Sequence, residues 1–387
     1  MKKRTKLGLG AGITLSAFAA YKVFQNYQAL TLFHPTKRVE RFQHMDKVMP
    51  FREIEPSKQP FQFTENLDSK ILTYTYKGNT RSVDSFLEQS ETTGFLFIQD
   101  DQVLYETYRL GSKPTSTFTS WSVAKSMVSA MVGVALEEGL IKSIEEPIGR
   151  YVPELNHSGY GDVSIKNVLL MSSGVRFNEE YANKKSDIQQ IFYQALLWDQ
   201  SADRFMKKLK NESGAGERFH YISSDTQALG MLIRNVTGRQ PSRYFEEKIW
   251  KQIGTENRAF WSQDRKGNDF SFCGFNATLR DYAKFGRLFC QEGKWEEEQL
   301  VSNEWVRQST TIHQDSLLTG RDSGYQYQWW VPYRDNQDFL ALGVWGQFLY
   351  VHPKTRTIIV KTSADPDYSI NEQETIALLR SLATSTR

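Results

Sequence analysis

The sequence contains little cysteine and no metal-binding motif. Only two of its 387 residues are cysteines, Cys273 and Cys290, which excludes the disulfide framework that holds many small secreted domains together. It has no His-Glu-x-x-His and no cluster of His and Cys at ligand spacing, so nothing in it supports a catalytic metal. We expect two separate, partly buried thiols, and no cofactor is implied.

Two further features that the sequence lacks, a nucleophile-elbow motif and a large excess of basic residues, exclude classes of function. Gly-x-Ser-x-Gly does not occur, which excludes the nucleophile elbow of the α/β-hydrolases. The 48 Lys and Arg residues exceed the 45 Asp and Glu residues by only three, and they are dispersed along the chain. Nucleic acid is therefore a poor candidate partner. No protein partner is implied either.

The N-terminus carries the one compartment signal. Four basic residues among positions 2–6 precede an apolar run from Leu7 to Tyr21, and Ala17-Phe-Ala19 resembles a signal peptidase site. The run is shorter than the ~20 apolar residues of a membrane-spanning helix. Residues 1–24 are therefore either a cleaved signal peptide or an uncleaved membrane anchor, and the sequence does not decide between the two. We predict export to the periplasm, as a soluble protein or attached to the inner membrane.

The rest of the chain divides into an arm and one large domain. Residues 25–70 are polar and contain four prolines, which predicts an extended arm on the surface. From residue 71 onward, β-rich patterns occur early and late, with a mainly helical insertion at about 150–270 between them. The predicted strands are 94–98, 103–108, 339–342, 347–351 and 357–362, and the predicted helices are 122–138, 225–236, 242–253, 279–290 and 370–382.

This order of elements predicts an α/β fold of the α+β type. Strands from both ends of the domain would form an antiparallel sheet with flanking helices, and the helical region would lie between them.

Ser122 and Lys125 form the first candidate for chemistry. Three residues apart on a helix, they share one face, with about 5–6 Å between their Cβ atoms. In the first turn, Ser122 would lie where free N–H groups and the helix dipole favour negative charge. Lys125 is the only charge between Ser122 and Leu136, and burial would lower its pKa enough to let it take the serine proton. The alternative is a serine cap followed by a solvated lysine.

Tyr221 is the second candidate. A tyrosine hydroxyl near a lysine can ionise in part and act as a general base or a proton shuttle. The alternative is a core tyrosine followed by a Ser-Ser-Asp helix cap at 223–225. His220 is not favoured as a base, because adjacent residues usually point in different directions.

Six motifs in order resemble the serine β-lactamase and penicillin-binding-protein superfamily. They are closest in look to the class C β-lactamase-related branch that holds esterases, D-amino-acid peptidases and nylon-oligomer hydrolases. The motifs are Trp121-Ser-Val-Ala-Lys-Ser126, Leu169-Leu-Met-Ser-Ser-Gly174, Tyr221-Ile-Ser-Ser-Asp-Thr226, Gly274-Phe-Asn-Ala-Thr-Leu-Arg-Asp281, Tyr327-Gln-Trp-Trp330 and Gly343-Val-Trp-Gly-Gln347. The resemblance implies a β-lactamase/transpeptidase-like fold. It also implies that Ser122 is acylated and that Lys125 and Tyr221 manage its proton.

The family's Lys-Thr-Gly motif is altered. It should fall at Val344-Trp-Gly346, where only the glycine is kept. The backbone N–H groups of Gln347 and Ser122 can still form an oxyanion hole, and Gly346 would let substrate approach the strand closely. In β-lactamases the missing lysine helps to hold the substrate carboxylate, and Ser223 stands where they have Asn. Both departures favour an esterase or amidase over an efficient β-lactamase.

Besides Gly346, four residues are candidates for substrate binding. Asp187 and Asn276 resemble positions that touch substrate in the nylon-oligomer branch, and a carboxylate there would favour an amine-bearing substrate. The alternative for both is a cap or loop residue. Tyr327 and Trp345 could line an apolar acyl pocket or pack in the core.

We therefore predict a serine hydrolase that acts on a small-molecule ester or amide in two acyl-transfer steps. A D-amino-acid peptidase or weak β-lactamase is the first alternative. The second is a non-catalytic sensor of cell-wall fragments on the same scaffold.

Overall fold

A large antiparallel sheet organises the structure. The computed structural model describes residues 21–67, 72–313 and 323–385. In chain order the strands are β1 (Phe51–Ile54), β2 (Thr64–Glu65), β3 (Thr73–Tyr76), β4 (Asn79–Ser82), β5 (Thr92–Gln99), β6 (Gln102–Tyr108), β7 (Phe118–Thr119), β8 (Ala259–Ser262), β9 (Phe275–Ala277), β10 (Lys294–Trp295), β11 (Glu298–Gln299), β12 (Gly324–Gln326), β13 (Trp329–Val331), β14 (Phe339–Gly343), β15 (Gln347–His352) and β16 (Thr357–Ser363).

Eight of these strands form the main sheet, in the order β12-β13-β14-β15-β16-β5-β6-β2. All neighbours are antiparallel except β2, which runs parallel to β6. The predicted early hairpin and the three predicted late strands are confirmed, and β16 joins them by pairing with β5. Phe95 to Ile98 of β5 are all buried, because helices cover both faces of the sheet there.

The helices lie on the two faces of this sheet and in the region between its halves. Their bounds are Tyr27–Leu30, Arg38–Gln43, Met45–Val48, Val83–Gln89, Ala124–Glu137, Ile165–Leu169, Asp187–Leu196, Ala202–Met206, Ser223–Thr237, Pro241–Phe245, Leu279–Cys290, Asn303–Thr310 and Tyr368–Thr384. One face packs on the C-terminal helix, Tyr368–Thr384, and the other on Leu279–Cys290 and the main core. The helix predicted at 279–290 has those bounds.

The arm differs from the prediction. Instead of an extended segment, it begins with three short helices, of which Arg38–Gln43 and Met45–Val48 bury Phe42, Met45 and Val48. These apolar side chains are spaced three residues apart, so a helical conformation directs all of them into the core. The arm then continues as β1, which opens a second sheet in the order β1-β8-β9-β7.

The central helix, Ala124–Glu137, passes through the core. All twelve residues from Ala124 to Ala135 are buried, as the nearly uncharged sequence predicted. Gly133 is needed for this packing, because a Cβ there would lie 2.6 Å from the Trp305 ring. This helix begins at the junction between the main sheet and the helical region, where the candidate site lies.

Other predictions concern the termini and the thiols. Cys273 and Cys290 are both free, as expected. Within residues 21–67, 72–313 and 323–385, no helix is long and apolar enough to cross a membrane. The predicted leader, residues 1–24, lies almost entirely outside these ranges, so its export and processing stay predictions.

Candidate active site

Ser122 and Lys125 lie side by side at the start of the central helix. Ser122 belongs to a short 3-10 turn, Trp121–Val123, that leads into the helix. Trp121 has a φ of +41°, an unfavourable conformation for a bulky residue and one that is concentrated at functional sites. Nζ of Lys125 is 2.9 Å from Oγ of Ser122, and only 1% of Lys125 is exposed.

Burial makes Lys125 easier to deprotonate than an exposed lysine. Its Nζ also donates to Oγ of Ser223 and to the carbonyl of Phe272, each at 3.1 Å, and it lies 5.1 Å from the centre of the Tyr221 ring. Burial lowers the pKa of Lys125 to about 8, against the opposing effect of the Glu179 charge. A lysine with this pKa can accept a proton near neutral pH.

Tyr221 completes the cluster in its protonated form. The nearby Ser122 hydroxyl lowers the pKa of Tyr221, but burial dominates and raises this pKa well above its usual value. The ring stacks on Trp330, with 5.7 Å between centroids, and meets Tyr325 edge-on at 5.8 Å. The partly ionised tyrosine considered from the sequence is therefore not the form that this site favours. A fixed neutral hydroxyl is suited to passing a proton on.

Glu179 is a member of the cluster that the sequence did not indicate. Its carboxylate accepts hydrogen bonds from Oγ of Ser223 at 2.5 Å and from the Ser223 N–H at 2.8 Å. The Tyr181 hydroxyl donates to the same carboxylate at 2.7 Å. A continuous chain of hydrogen bonds thus runs from Glu179 through Ser223 and Lys125 to Ser122. Glu179 lies in a loop 44 residues before Ser223, and no motif marks it.

A cavity of about 490 Å³ opens over Ser122, a size typical of small-molecule sites. Its walls are mainly aromatic and aliphatic. Among the described residues, Glu180 is the only charged side chain in the lining, which comprises Phe33, Trp121, Ser122, Glu180, Tyr181, Ala182, Ile188, Gln189, Phe192, Ser223, Phe272, Cys273, Val344, Trp345, Pro366 and Tyr368. Across the described ranges, no group of three or more His, Cys, Asp or Glu residues could hold a metal ion.

The comparison with known proteins agrees with this geometry. The sequence family described as Beta-lactamase matches residues 81–381, more than three quarters of the chain. The chain belongs to the beta-lactamase family. It is similar to the 6-aminohexanoate-dimer hydrolase of Paenarthrobacter ureafaciens, with 30% identity over 295 residues that cover 73% of this chain and 74% of the relative.

Solved structures of the beta-lactamase family show the same fold. A structure named "Putative 6-aminohexanoate-dimer hydrolase from Bacillus anthracis" has a TM-score of 0.83 and 24% identity, covering 91% of this chain and 95% of that one. A class C beta-lactamase has a TM-score of 0.59 and 15% identity, over 79% and 95% of the two chains. The predicted β-lactamase/transpeptidase-like fold is therefore confirmed, and the protein is a hydrolase of this family.

The hairpin of β14 and β15 carries Val344-Trp-Gly346, the position at which the resemblance places the family's Lys-Thr-Gly motif. Gly343 pairs with Gln347 across this hairpin, and a Cβ on Gly343 would lie 2.6 Å from the Ser120 carbonyl and 3.1 Å from the Ser122 nitrogen. Only glycine permits such a close approach. The start of β15, where Gln347 lies, is thereby held beside the turn that carries Ser122. Trp345 and Gly346 form the turn between the strands, both with positive φ.

Four of the five predicted substrate-binding residues, Asp187, Asn276, Tyr327 and Gly346, do not line the cavity. Asp187 accepts a hydrogen bond from the Asn178 N–H at 2.8 Å, at the start of helix Asp187–Leu196. Asn276 is buried in β9 and donates to the Gly274 carbonyl at 2.8 Å, and Tyr327 packs against Trp305. Asp187 and Tyr327 have structural roles that the sequence left open, whereas Asn276 lies in a strand and not in the expected cap or loop. The part of all three in substrate binding stays a prediction.

Trp345 does line the cavity, whereas Gly346 lies in the turn beside it. His220 is 40% exposed and faces Glu212, away from the Ser122 cluster.

Proposed function

We propose that this hydrolase cleaves small amides or esters through an acyl-enzyme on Ser122. The observation that carries the proposal is the cluster of Ser122, Lys125 and Tyr221, in which Ser122 opens onto an apolar cavity and contacts the buried Lys125. In the first step, Oγ of Ser122 attacks the carbonyl carbon while its proton passes to Nζ of Lys125. The pKa of Lys125 is low enough for this transfer because the side chain is buried.

The oxygen that becomes negative needs hydrogen-bond donors. We assign this role to the backbone N–H groups of Ser122 and Gln347, which the close approach of β14 to the Ser122 turn supports. Two fixed backbone donors stabilise the developing charge without any particular side chain. Replacement of the family's Lys-Thr-Gly lysine thus leaves acyl transfer possible.

The leaving group must take up a proton. We assign this step to the Tyr221 hydroxyl, which lies near Ser122 and Lys125. It delivers a proton to the departing amine or alcohol and recovers one from the Lys125 ammonium. Water then attacks the acyl-Ser122 ester, its proton follows the same route in reverse, and the carboxylic acid leaves. Both steps use only groups of this chain and water.

Glu179 acts through Ser223 on Lys125. Ser223 accepts a hydrogen bond from Nζ of Lys125 and donates one to Glu179. The negative charge of Glu179 therefore stabilises the ammonium that Lys125 becomes after it takes the Ser122 proton. We regard Glu179 as a positioning residue.

The substrate class follows from the cavity and from the relatives. The name of the Paenarthrobacter relative describes a hydrolase for a 6-aminohexanoate dimer, which is a linear amide. In the cavity, Val344 and Trp345 stand where β-lactamases have the carboxylate-binding lysine. An apolar wall here favours linear amides and esters over β-lactams.

A substrate panel tests this proposal. The panel consists of the linear 6-aminohexanoate dimer, p-nitrophenyl butyrate and a chromogenic cephalosporin. We expect turnover of the amide or the ester that falls about 10³–10⁴-fold in Ser122→Ala and in Lys125→Met, with thermal unfolding curves that remain cooperative. Faster turnover of the cephalosporin than of both other substrates would contradict the proposed substrate class.

A further inference from the structure

The N-terminal arm forms part of the catalytic cavity. Phe33 of the arm lines the cavity and stacks against Trp345, with 5.6 Å between centroids and 8° between ring planes, and against Trp121 at 5.7 Å. Phe42 meets both tryptophans edge-on. The residue directly before Ser122 and the turn after β14 are thus both in contact with the arm.

Several polar contacts fix the arm in this position. The Arg38 guanidinium binds both oxygens of Glu91, at 2.6 and 2.7 Å, and its Nε donates to the Ala364 carbonyl at 2.8 Å. Lys22, which precedes the arm, pairs with Asp199 at 2.6 Å. Because Arg38 is buried, these bonds resist exchange with water. The arm is therefore a fixed wall of the site.

A second pocket lies between this wall and helix Asp187–Leu196. It measures about 110 Å³ and adjoins the catalytic cavity, with which it shares Phe33, Trp121, Gln189 and Phe192. Its remaining lining in the described part of the chain is Ala29, Leu30, Leu32, Met49, Tyr193, Leu196 and Leu197. This lining contains no charged side chain, so a charged group placed there would lose its hydration without gaining a partner.

We propose that this pocket, hereafter the arm pocket, binds an unbranched, uncharged aliphatic chain of the substrate. Its volume is below the roughly 150 Å³ of a cavity that accepts benzene, which favours a flexible chain end of about four carbons over an aromatic ring. The inference rests on the proposed function, because it assigns the pocket to the substrate that Ser122 attacks. The chain lies on either the acyl or the leaving-group side of the scissile bond.

Two ester series show whether the arm pocket binds the acyl side or the leaving-group side of the substrate. One varies the acyl group, from p-nitrophenyl acetate to butyrate, hexanoate and octanoate, and the other varies the alcohol, from ethyl to octyl acetate. In one series kcat/KM should rise about fourfold per methylene until the arm pocket is full. The p-nitrophenyl ester of 6-aminohexanoate should have a kcat/KM at least about tenfold below that of the hexanoate ester, because its ammonium cannot be buried there. In the alcohol series, the same holds for 6-aminohexyl acetate compared with hexyl acetate.

Variants that fill the arm pocket test its location. Leu196→Trp projects into it from the helix, and Ala29→Leu fills it from the arm, where Ala29 is only partly buried and overpacking costs less. Each should lower the hexanoate-to-acetate ratio of kcat/KM, or the equivalent alcohol ratio, by about tenfold or more. Leu140→Trp makes the same substitution at an exposed position outside both cavities and should leave the ratio at the wild-type value.

The outcomes separate two kinds of failure. If neither these esters nor the linear 6-aminohexanoate dimer is hydrolysed, the proposed function is wrong. If esters are hydrolysed but chain-length ratios are equal in wild type, Leu196→Trp and Ala29→Leu, the arm pocket does not bind substrate. A preference for the ammonium-bearing ester that Ala29→Leu abolishes would also overturn the inference, since the pocket would then hold a charged chain.

Discussion

Burial of the Lys125 side chain makes the activity of the Ser122 cluster depend on pH. Because burial lowers the pKa of Lys125 to about 8, the neutral amine that can accept the Ser122 proton is the minority form at pH 7 and the majority form above pH 8. We predict that kcat/KM for an ester rises about tenfold per pH unit on the acid side and levels off above a midpoint near pH 8. Initial rates between pH 5.5 and 10 measure this. A profile that falls with rising pH would contradict the assignment of Lys125 as the base.

The carboxylate of Glu179 should shift that midpoint. Its negative charge raises the pKa of Lys125, so in Glu179→Gln the pKa of Lys125 falls and the rise in kcat/KM moves to lower pH. We also expect kcat to drop about tenfold, because Ser223 loses a charged partner.

Glu180→Gln is the matched control for Glu179→Gln. It removes a neighbouring carboxylate that contributes no hydrogen bond to Ser223, and its midpoint should stay where wild type has it. If Glu179→Gln lowers kcat while the midpoint does not move, Glu179 has only a structural role.

At the scale of single residues, the sequence indicated Ser122, Lys125 and Tyr221 because each lies in a local motif of the family. Glu179 has no such motif, and its contact with Ser223 arises only when a loop folds across the start of helix Ser223–Thr237. Asp187 was indicated by the family resemblance, and its part in substrate binding stays a prediction. In the structure its carboxylate accepts a hydrogen bond from the Asn178 N–H.

At the scale of elements, Gly343 controls how closely β14 approaches the nucleophile turn. A methyl group at this position would meet backbone atoms of Ser120 and Ser122, at 2.6 and 3.1 Å, and backbone moves less readily than a flexible side chain. Gly343→Ala should therefore displace the hairpin and lower kcat about 10²-fold, as expected when an oxyanion donor moves out of place.

Gly111→Ala provides the comparison for Gly343→Ala. Gly111 has a φ of +84° in an open surface turn, so its replacement should cost about 1 kcal/mol of unfolding free energy and leave kcat unchanged. Urea unfolding and steady-state kinetics on both variants separate the effects. Wild-type kcat in Gly343→Ala would contradict the proposed role of the hairpin.

The sequence predicted long elements better than short ones. The β5–β6 hairpin and helix Leu279–Cys290 have strong local periodicity and were found. Strands β1 and β8 are four residues long and become strands only by pairing with each other across about 200 residues of chain, a contact that no local pattern encodes. The three short helices of the arm were missed because its prolines and polar residues suggested extended backbone.

At the scale of the whole molecule, the arm is tied to the catalytic domain by Arg38. Removal of this side chain in Arg38→Met leaves Glu91 and the Ala364 carbonyl without their partner, which should lower the free energy of unfolding by about 1–3 kcal/mol. The double variant Arg38→Met/Glu91→Gln should lose little more than Arg38→Met alone, as measured by urea denaturation. Additive losses would show that the two side chains do not act as a pair.

The central claim of this account is that Ser122 is an activated nucleophile. Its most direct test is the intact mass of the full-length protein after incubation with a fluorophosphonate, for wild type and Ser122→Ala. We predict one covalent adduct per chain on wild type and none on Ser122→Ala. No adduct on wild type, or an equal adduct on both proteins, would contradict the claim.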